Sequence, residues 1–177
     1  LRKKGFVYAQ IEDILCAIDS HEAGKQFLSE GWVLNIDRDS LLLGKQPEID
    51  KPVEIDLEQN GFSLDGKTWY NCAKLDSVRP LDRSSENALL DLDLLDFPLT
   101  LRTWEQGDKF MPLGMHNFKK ISDYLIDNKV PLIKKNKVKV LCSKEKIVWL
   151  LGFRIDERFK ISPSTRKVFY INKHIDE

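Results

Sequence analysis

Residues 107–131 read GDKFMPLGMHNFKKISDYLIDNKVP, and this stretch combines residues typical of loops with residues typical of the core. The cluster at 110–115 is too apolar for an ordinary surface loop, because two Met, a Phe and a Leu occur within six residues. Gly107, Pro112 and Gly114 are poorly tolerated inside a helix. The stretch therefore predicts a loop anchored in the core by its apolar side chains, and this loop fixes the start of the element that follows.

That element is predicted to be a helix over residues 120–128. Ile121, Tyr124 and Leu125 recur at helical spacing, Asn117 is the candidate N-cap, and Pro131 follows the end. Lys119 and Lys120 would then open the helix, where backbone N–H groups also point outward. Two lysines at a helix start are unfavourable for the helix itself, so this placement favours an anionic ligand, with mobile side chains in water as the alternative.

Outward from this stretch the chain is rich in strands. Apolar spacing predicts a helix at 5–18, whereas alternation of apolar and polar residues predicts hairpins and strands further on. The predicted strands lie at 32–36, 41–43, 53–57, 62–75, 87–95, 99–104, 138–143, 146–153 and 168–171. Because most are joined by hairpin turns, such as those at Asp39 and Asp65, we expect an α+β fold with a mixed, largely antiparallel sheet and a few short helices.

The formal net charge of zero conceals a strong polarity along the chain. Residues 1–97 hold 11 Lys and Arg against 19 Asp and Glu, whereas residues 98–175 hold 17 against 7. A region with this excess of positive charge is a candidate surface for a polyanion. A solvated face with scattered lysines is the alternative, and so is an acidic half that meets the basic half of a second copy.

Several classes of protein are disfavoured by the sequence. It has no Gly-rich phosphate-binding motif, no CxxC pair and no apolar run long enough to cross a membrane. The three cysteines are far apart, which disfavours zinc and disulfide frameworks and fits a reducing cytoplasm. We expect no catalytic residue, cofactor or metal site. Because the chain opens Leu-Arg-Lys-Lys-Gly, it is interpreted as an excised piece of a longer protein.

The basic half supplies the candidate binding residues. Duplex RNA presents phosphates and 2′-hydroxyls across a shallow minor groove, and proteins read it largely by shape. Cationic side chains that converge on one face would suit that ligand. The predicted set is Arg102, Lys109, Lys119, Lys120, Arg154, Arg158 and Lys160. Trp104 and Trp149 are stacking candidates, although tryptophans on strands are more often part of the core.

Residues 96–160, DFPLTLRTWEQGDKFMPLGMHNFKKISDYLIDNKVP…KIVWLLGFRIDERFK, resemble the C-terminal domain of bacterial tRNA(Ile)-lysidine synthetases. The shared pattern is an Arg-bearing strand, GD+FxPLGM, a basic pair, a short helix ending in KVP, a Trp hairpin and RIDERFK. The upstream helix and hairpin resemble the junction with the helical domain of that family. The resemblance therefore extends over nearly the whole chain.

The resemblance implies a role in tRNA modification. The full enzyme uses ATP, with magnesium, to adenylate the wobble cytidine of tRNA(Ile) with a CAU anticodon, and lysine then displaces AMP. The ATP-binding motif of its N-terminal domain does not occur here, so this chain alone is expected to be non-catalytic. Its C-terminal domain engages the tRNA acceptor stem, and its fold is similar to the B3/B4 domain of the phenylalanyl-tRNA synthetase β subunit.

The resemblance also implies a division of the chain. Residues 1–24 would end the helical substrate-binding domain, 25–97 form an acidic strand-rich segment, and 98–177 form the basic tRNA-binding domain. Gly107, Asp108, Pro112, Gly114 and Met115 would shape the loop. The competing interpretations are a protein-interaction or homodimerisation module that does not bind RNA, and an independent small-molecule or editing site.

Overall fold

The computed structural model describes residues 1–38, 40–45, 51–64, 66, 68–76 and 84–174. The hairpin turns predicted at Asp39 and Asp65 lie outside these residues. The chain divides into two compact units, Leu1–Asp50 with Leu125–Lys137, and Lys51–Tyr124 with Val138–Glu177. The domain boundaries predicted after residues 24 and 97 stay predictions. None of the helices among the described residues is long and apolar enough to span a bilayer.

The first unit combines a helix with a small antiparallel sheet. A 3₁₀ turn at Arg2–Lys4 precedes α1 (Tyr8–Asp19), and the sheet has the order β1 (Gln26–Ser29), β2 (Trp32–Ile36), β3 (Leu41–Lys45). The helix starts later than predicted because the Gln10 side chain accepts from the Val7 amide, which fixes the first turn at that point. The core of this unit consists of Phe6, Ile14, Ala17, Leu34 and Ile36. A one-turn helix, α3 (Leu132–Lys135), also belongs to it.

The second unit holds the remaining strands. They are β4 (Val53–Ile55), β5 (Gly61–Ser63), β6 (Trp69–Leu75), β7 (Asn87–Asp91), β8 (Leu99–Thr103), β9 (Lys109–Phe110), β10 (Lys119–Lys120), β11 (Lys139–Ser143), β12 (Lys146–Leu150), β13 (Arg154–Ile155) and β14 (Val168–His174). They form a five-stranded sheet, β13-β12-β11-β8-β4, a four-stranded sheet, β5-β6-β14-β7, and the pair β10-β9. Every strand pairing among the described residues is antiparallel, so the predicted fold class is confirmed.

One hydrophobic core lies between the two larger sheets of this unit. Leu141, Val148 and Trp149 come from the five-stranded sheet, whereas Tyr70 and Phe169 come from the four-stranded sheet. The rings of Tyr70 and Trp149 meet edge to face at 5.7 Å. Because β11 is buried at every position and β12 at every position except its first, both faces of these two strands are covered.

Two predicted elements differ from the structure. The strand predicted over 87–95 ends at Asp91, whose carboxylate accepts from the Asp93 amide at 3.2 Å and caps a 3₁₀ turn at Leu92–Leu94. The helix predicted over 120–128 is α2 (Ile121–Asp127), and the preceding Lys119–Lys120 belong to strand β10. Asn117 is therefore not its N-cap. The boundary between the two units falls inside α2.

Candidate nucleic-acid interface

A bidentate ion pair holds the turn that begins the 107–131 stretch. The Arg102 guanidinium on β8 donates from both terminal nitrogens to Asp108, at 2.8 and 2.9 Å, and the Glu105 amide donates to the same carboxylate at 2.7 Å. Burial raises the pKa of Asp108, but the hydrogen bonds from Arg102 and Glu105 outweigh it and leave the pKa below its usual value. Gly107 has a φ of 99°, a left-handed conformation that favours glycine. Arg102, predicted to contact RNA, therefore braces the turn.

Strands β9 and β10 place two lysines directly opposite each other. Lys109 pairs with Lys120, and Phe110 pairs with Lys119. Because successive residues of a strand face opposite sides and Phe110 is fully buried, Lys109 and Lys120 share the outward face. Both are exposed. Like charges directly opposite on an antiparallel pair destabilise it, so this arrangement favours an anion between them.

Lys119 lies on the other face of the same strand pair. It is partly buried, and its ammonium lies 5.9 Å from the centroid of the Tyr124 ring. Tyr124 in turn packs edge to face on Phe110 at 5.2 Å. Of the predicted basic pair, Lys120 and not Lys119 therefore faces outward beside Lys109.

The loop at 111–114 is joined to the segment 155–157. The Leu113 amide donates to the Ile155 carbonyl at 3.0 Å, and the Glu157 amide donates to the Met111 carbonyl at 2.7 Å. The fully buried Asp156 carboxylate accepts from the Met111 amide at 2.8 Å. These three hydrogen bonds anchor the loop. Of the apolar side chains predicted to anchor it, Phe110 is fully buried, Met111 and Leu113 are partly buried, and Met115 is exposed.

Asp156 also fixes the side chain of Arg158. Its carboxylate accepts from Arg158 Nε at 2.9 Å and from Arg158 Nη2 at 2.8 Å. The hydrogen bonds that Arg158 donates to Asp156 outweigh burial and raise the pKa of Arg158 above its usual value. The guanidinium so positioned lies 4.8 Å from the ring centroid of Phe118. The Arg158 guanidinium is therefore a charged group that is held in place next to an aromatic ring.

Phe118 marks the centre of the candidate interface. Its side chain is 50% exposed, and the Lys109 ammonium lies 5.5 Å from its ring centroid. A groove of about 280 Å³ adjoins it, and its lining includes Arg158 and, from the β11–β12 hairpin, Lys146. We call this the Phe118 groove; its lining is Gly107, Asp108, Lys109, Phe118, Glu145, Lys146, Ile147 and Arg158.

The two other predicted residues line a different cavity. Arg154 and Lys160 border a cavity of about 450 Å³, together with Leu113 and Phe153. The Arg154 guanidinium donates to the Leu113 carbonyl at 3.3 Å, and the Lys160 ammonium pairs with Glu157. Hydrogen bonds from the Gly114 amide and from Lys160 lower the pKa of Glu157.

The predicted set therefore falls into three groups. Lys109 and Arg158 line the Phe118 groove with Lys120 opposite Lys109, Arg102 and Lys119 support the segment from within, and Arg154 and Lys160 lie at the second cavity. Trp149 is fully buried, so the suggestion that it stacks on a ligand is wrong. Phe118 and Lys146 were not predicted, because the exposure of an aromatic side chain and the approach of the β11–β12 hairpin to Phe118 depend on the tertiary fold.

Comparisons with known proteins show which proteins the chain resembles. Residues 1–46 match the TilS substrate binding domain, and residues 99–172 match the TilS substrate C-terminal domain. The tRNA(Ile)-lysidine synthases of Parabacteroides distasonis and Bacteroides thetaiotaomicron are each 37% identical to the chain, over 97% and 95% of its length. These alignments cover 39% and 37% of the relatives, so the chain spans less than half of their length.

A solved structure supports the fold. The crystal structure described as the TILS C-terminal domain matches with a TM-score of 0.61 and 15% identity, over 72% of this chain and 99% of that chain. At this identity the likeness concerns the fold alone. The likeness to the B3/B4 domain of phenylalanyl-tRNA synthetase stays a prediction. Together, these comparisons show that the chain carries regions that match the TilS substrate binding and C-terminal domains and that it is similar to tRNA(Ile)-lysidine synthases over nearly its whole length.

Proposed function

We propose that this chain binds the acceptor stem of tRNA(Ile) through the outward face of β9 and β10 and the Phe118 groove. The observation that carries the proposal is the direct opposition of Lys109 and Lys120 beside the fixed guanidinium of Arg158. Among the residues that the structure describes, no carboxylate lies within ion-pairing distance of either lysine. Phosphates of an RNA backbone would neutralise the two lysines, and Arg158, already paired with Asp156, would donate a hydrogen bond beside them.

The dimensions of the site suit this ligand. Paired lysines on a two-residue ladder lie about 5 Å apart at their Cβ atoms, and their flexible side chains can reach neighbouring phosphates of one strand. Sequence-independent contacts of this kind position a protein on a duplex and do not read bases. The names of the relatives support tRNA(Ile) as the partner. We also propose that this tRNA carries a CAU anticodon and that the chain contacts its acceptor stem.

The whole protein is proposed to be an ATP-dependent ligase that attaches lysine to the wobble cytidine of its tRNA. ATP and magnesium would bind outside this chain, and the described residues would contribute tRNA binding without catalysis. A cytoplasmic location follows from the same proposal. The support is that the relatives are named tRNA(Ile)-lysidine synthases and are longer than the matched region.

A double charge reversal tests the proposal. The Lys109→Glu/Lys120→Glu variant should bind tRNA(Ile) at least tenfold more weakly than the wild type in filter binding. The slope of log affinity against log salt concentration should fall by about 1.5, since each phosphate contact contributes about 0.7–0.9. Footprinting of the wild type should protect the acceptor stem.

Lys167→Glu is the matched control, because Lys167 is exposed and lies outside the lining of the Phe118 groove. This variant should keep most of the salt dependence. Equal protection of the acceptor stem by the wild type and the double variant would overturn the assignment of the site. A salt-sensitive dimer in sedimentation that ignores tRNA would instead support the interaction module.

A further inference from the structure

We propose that the Phe118 groove holds an unpaired nucleotide whose base stacks on Phe118, so that the ligand is a duplex with a single-stranded extension. The inference rests on the proposed function and specifies the RNA that the same site takes. Phe118 is half exposed at the edge of a groove that is also lined by Lys109, Lys146 and Arg158, so an aromatic surface and cationic side chains are presented together. A paired base inside a duplex cannot offer its face to that ring, whereas an unpaired base can.

The surroundings of Phe118 fit one nucleotide. The groove of about 280 Å³ is close to the lower limit of small-ligand pockets, which suits a single planar base better than a larger group. Three cations, Lys109, Lys146 and Arg158, share the lining with two carboxylates, Asp108 and Glu145. Asp108 is paired with Arg102 and Arg158 is paired with Asp156, so Lys109 and Lys146 are balanced by Glu145 alone and positive charge predominates for a phosphate.

Arg158 contributes a second planar surface. Its guanidinium is fixed by two hydrogen bonds to the buried Asp156 and lies 4.8 Å from the Phe118 centroid. Stacking of bases on aromatic rings and on guanidinium planes is the usual way in which proteins hold unpaired RNA. A ring and a guanidinium that are already in place lose little freedom when a base joins them.

The test compares two acceptor-stem RNA duplexes, one blunt and one with a four-nucleotide single-stranded 3′ extension that carries 2-aminopurine. The wild type should bind the extended duplex about tenfold more tightly than the blunt one, since stacking contributes roughly 1–3 kcal/mol per base. The 2-aminopurine emission should fall on binding. Phe118→Leu should bind the extended duplex no more tightly than the blunt one and should leave the 2-aminopurine emission unchanged, whereas Phe118→Trp should retain both effects.

Tyr8→Leu is the matched control, because Tyr8 is also an exposed aromatic with an arginine, Arg2, 4.6 Å from its ring centroid. It should behave as the wild type does. The inference is overturned if Phe118→Leu weakens binding of both duplexes equally. It is also overturned if polyglutamate displaces the bound RNA as readily as unlabelled RNA does. Salt-dependent binding with no gain from the extension overturns this inference alone. Failure of both duplexes to bind overturns the proposed function as well.

Discussion

Asp156 joins two segments that the sequence keeps 45 residues apart. One buried carboxylate accepts from the Met111 amide and from two nitrogens of the Arg158 side chain. An ion pair inside a protein is costly to form, but removing one partner leaves the other without compensation. The placement of Arg158 at the Phe118 groove therefore depends on a residue that never reaches the surface.

We expect Asp156→Asn to lower the free energy of unfolding by roughly 2–3 kcal/mol, because Arg158 loses its charged partner while the side chain keeps its shape. Urea denaturation measures this directly. Asp123→Asn is the control, since Asp123 is exposed on α2, and it should change stability by less than about 0.5 kcal/mol. An equal, small effect of both substitutions would contradict the role assigned to Asp156.

At the scale of elements, the turn between β8 and β9 depends on charge. Asp108 accepts from Arg102 and from the Glu105 amide, and its carbonyl accepts from the Ile121 amide at 2.9 Å, at the first residue of α2. The turn therefore joins a central strand to the start of the helix. Loss of its carboxylate charge would loosen both.

We expect acid to remove the contribution of this turn to stability. Because the pKa of Asp108 is lower in the folded protein, the contribution is complete above the ordinary carboxyl pKa of about 3.9 and is lost as the pH falls through the folded value. The difference in unfolding free energy between the wild type and Asp108→Asn should therefore be largest near pH 6 and shrink below pH 4. The unfolding free energy of Arg102→Gln should likewise depend less on pH in acid than that of the wild type. If the unfolding free energies of the wild type and Asp108→Asn run parallel from pH 6 to below pH 4, the role assigned to Asp108 is contradicted.

Sequence patterns predicted the longer elements well and the shortest ones poorly. Alternation of apolar and polar residues predicted β2 and β8, and the hairpin pattern over 138–153 predicted β11 and β12. Strands β9, β10 and β13 have two residues each, which is too short for any period. For this reason Lys119–Lys120 were interpreted as the start of a helix.

The structure brings only part of the predicted cationic set together, and contact of any of these residues with tRNA stays a prediction. Lys109 and Arg158 do line one groove. Sequence could not distinguish them from Arg102, because that distinction depends on the distance to Asp108, six residues away in the chain but in contact in space. Lys139, part of the basic run, is buried and donates to Thr103 Oγ1 at 2.9 Å, which composition alone could not indicate.

At the scale of the whole molecule, the three cysteines report on different parts of the fold. Cys16 is exposed on α1, whereas Cys72 lies on β6 and Cys142 on β11, one in each of the two sheets that enclose the larger core. Burial raises the pKa of both of these thiols to about 11. At pH 8 only about one in a thousand of them is the reactive thiolate.

We expect one thiol per native chain to react rapidly with a maleimide at pH 8, and all three to react after denaturation. Cys16→Ser should abolish the rapid phase, as mass spectrometry of the labelled protein would show. Because labelling of Cys72 and Cys142 then requires each sheet to open, their rates should rise together in urea. Fast labelling of either one in the native protein would contradict the enclosed core.

The attachment of the 111–114 loop to residues 155–157 also has a consequence during synthesis. A ribosome adds about 5–20 residues per second, so Met111 leaves the peptidyl-transferase centre roughly 2–9 s before Asp156 does. In that interval the β11–β12 hairpin is being made, and the nascent loop has no partner. Until Asp156 and Glu157 have been added, the loop lacks the carboxylate and the amide that hold Met111, and a pause in translation within residues 132–155 would lengthen that period.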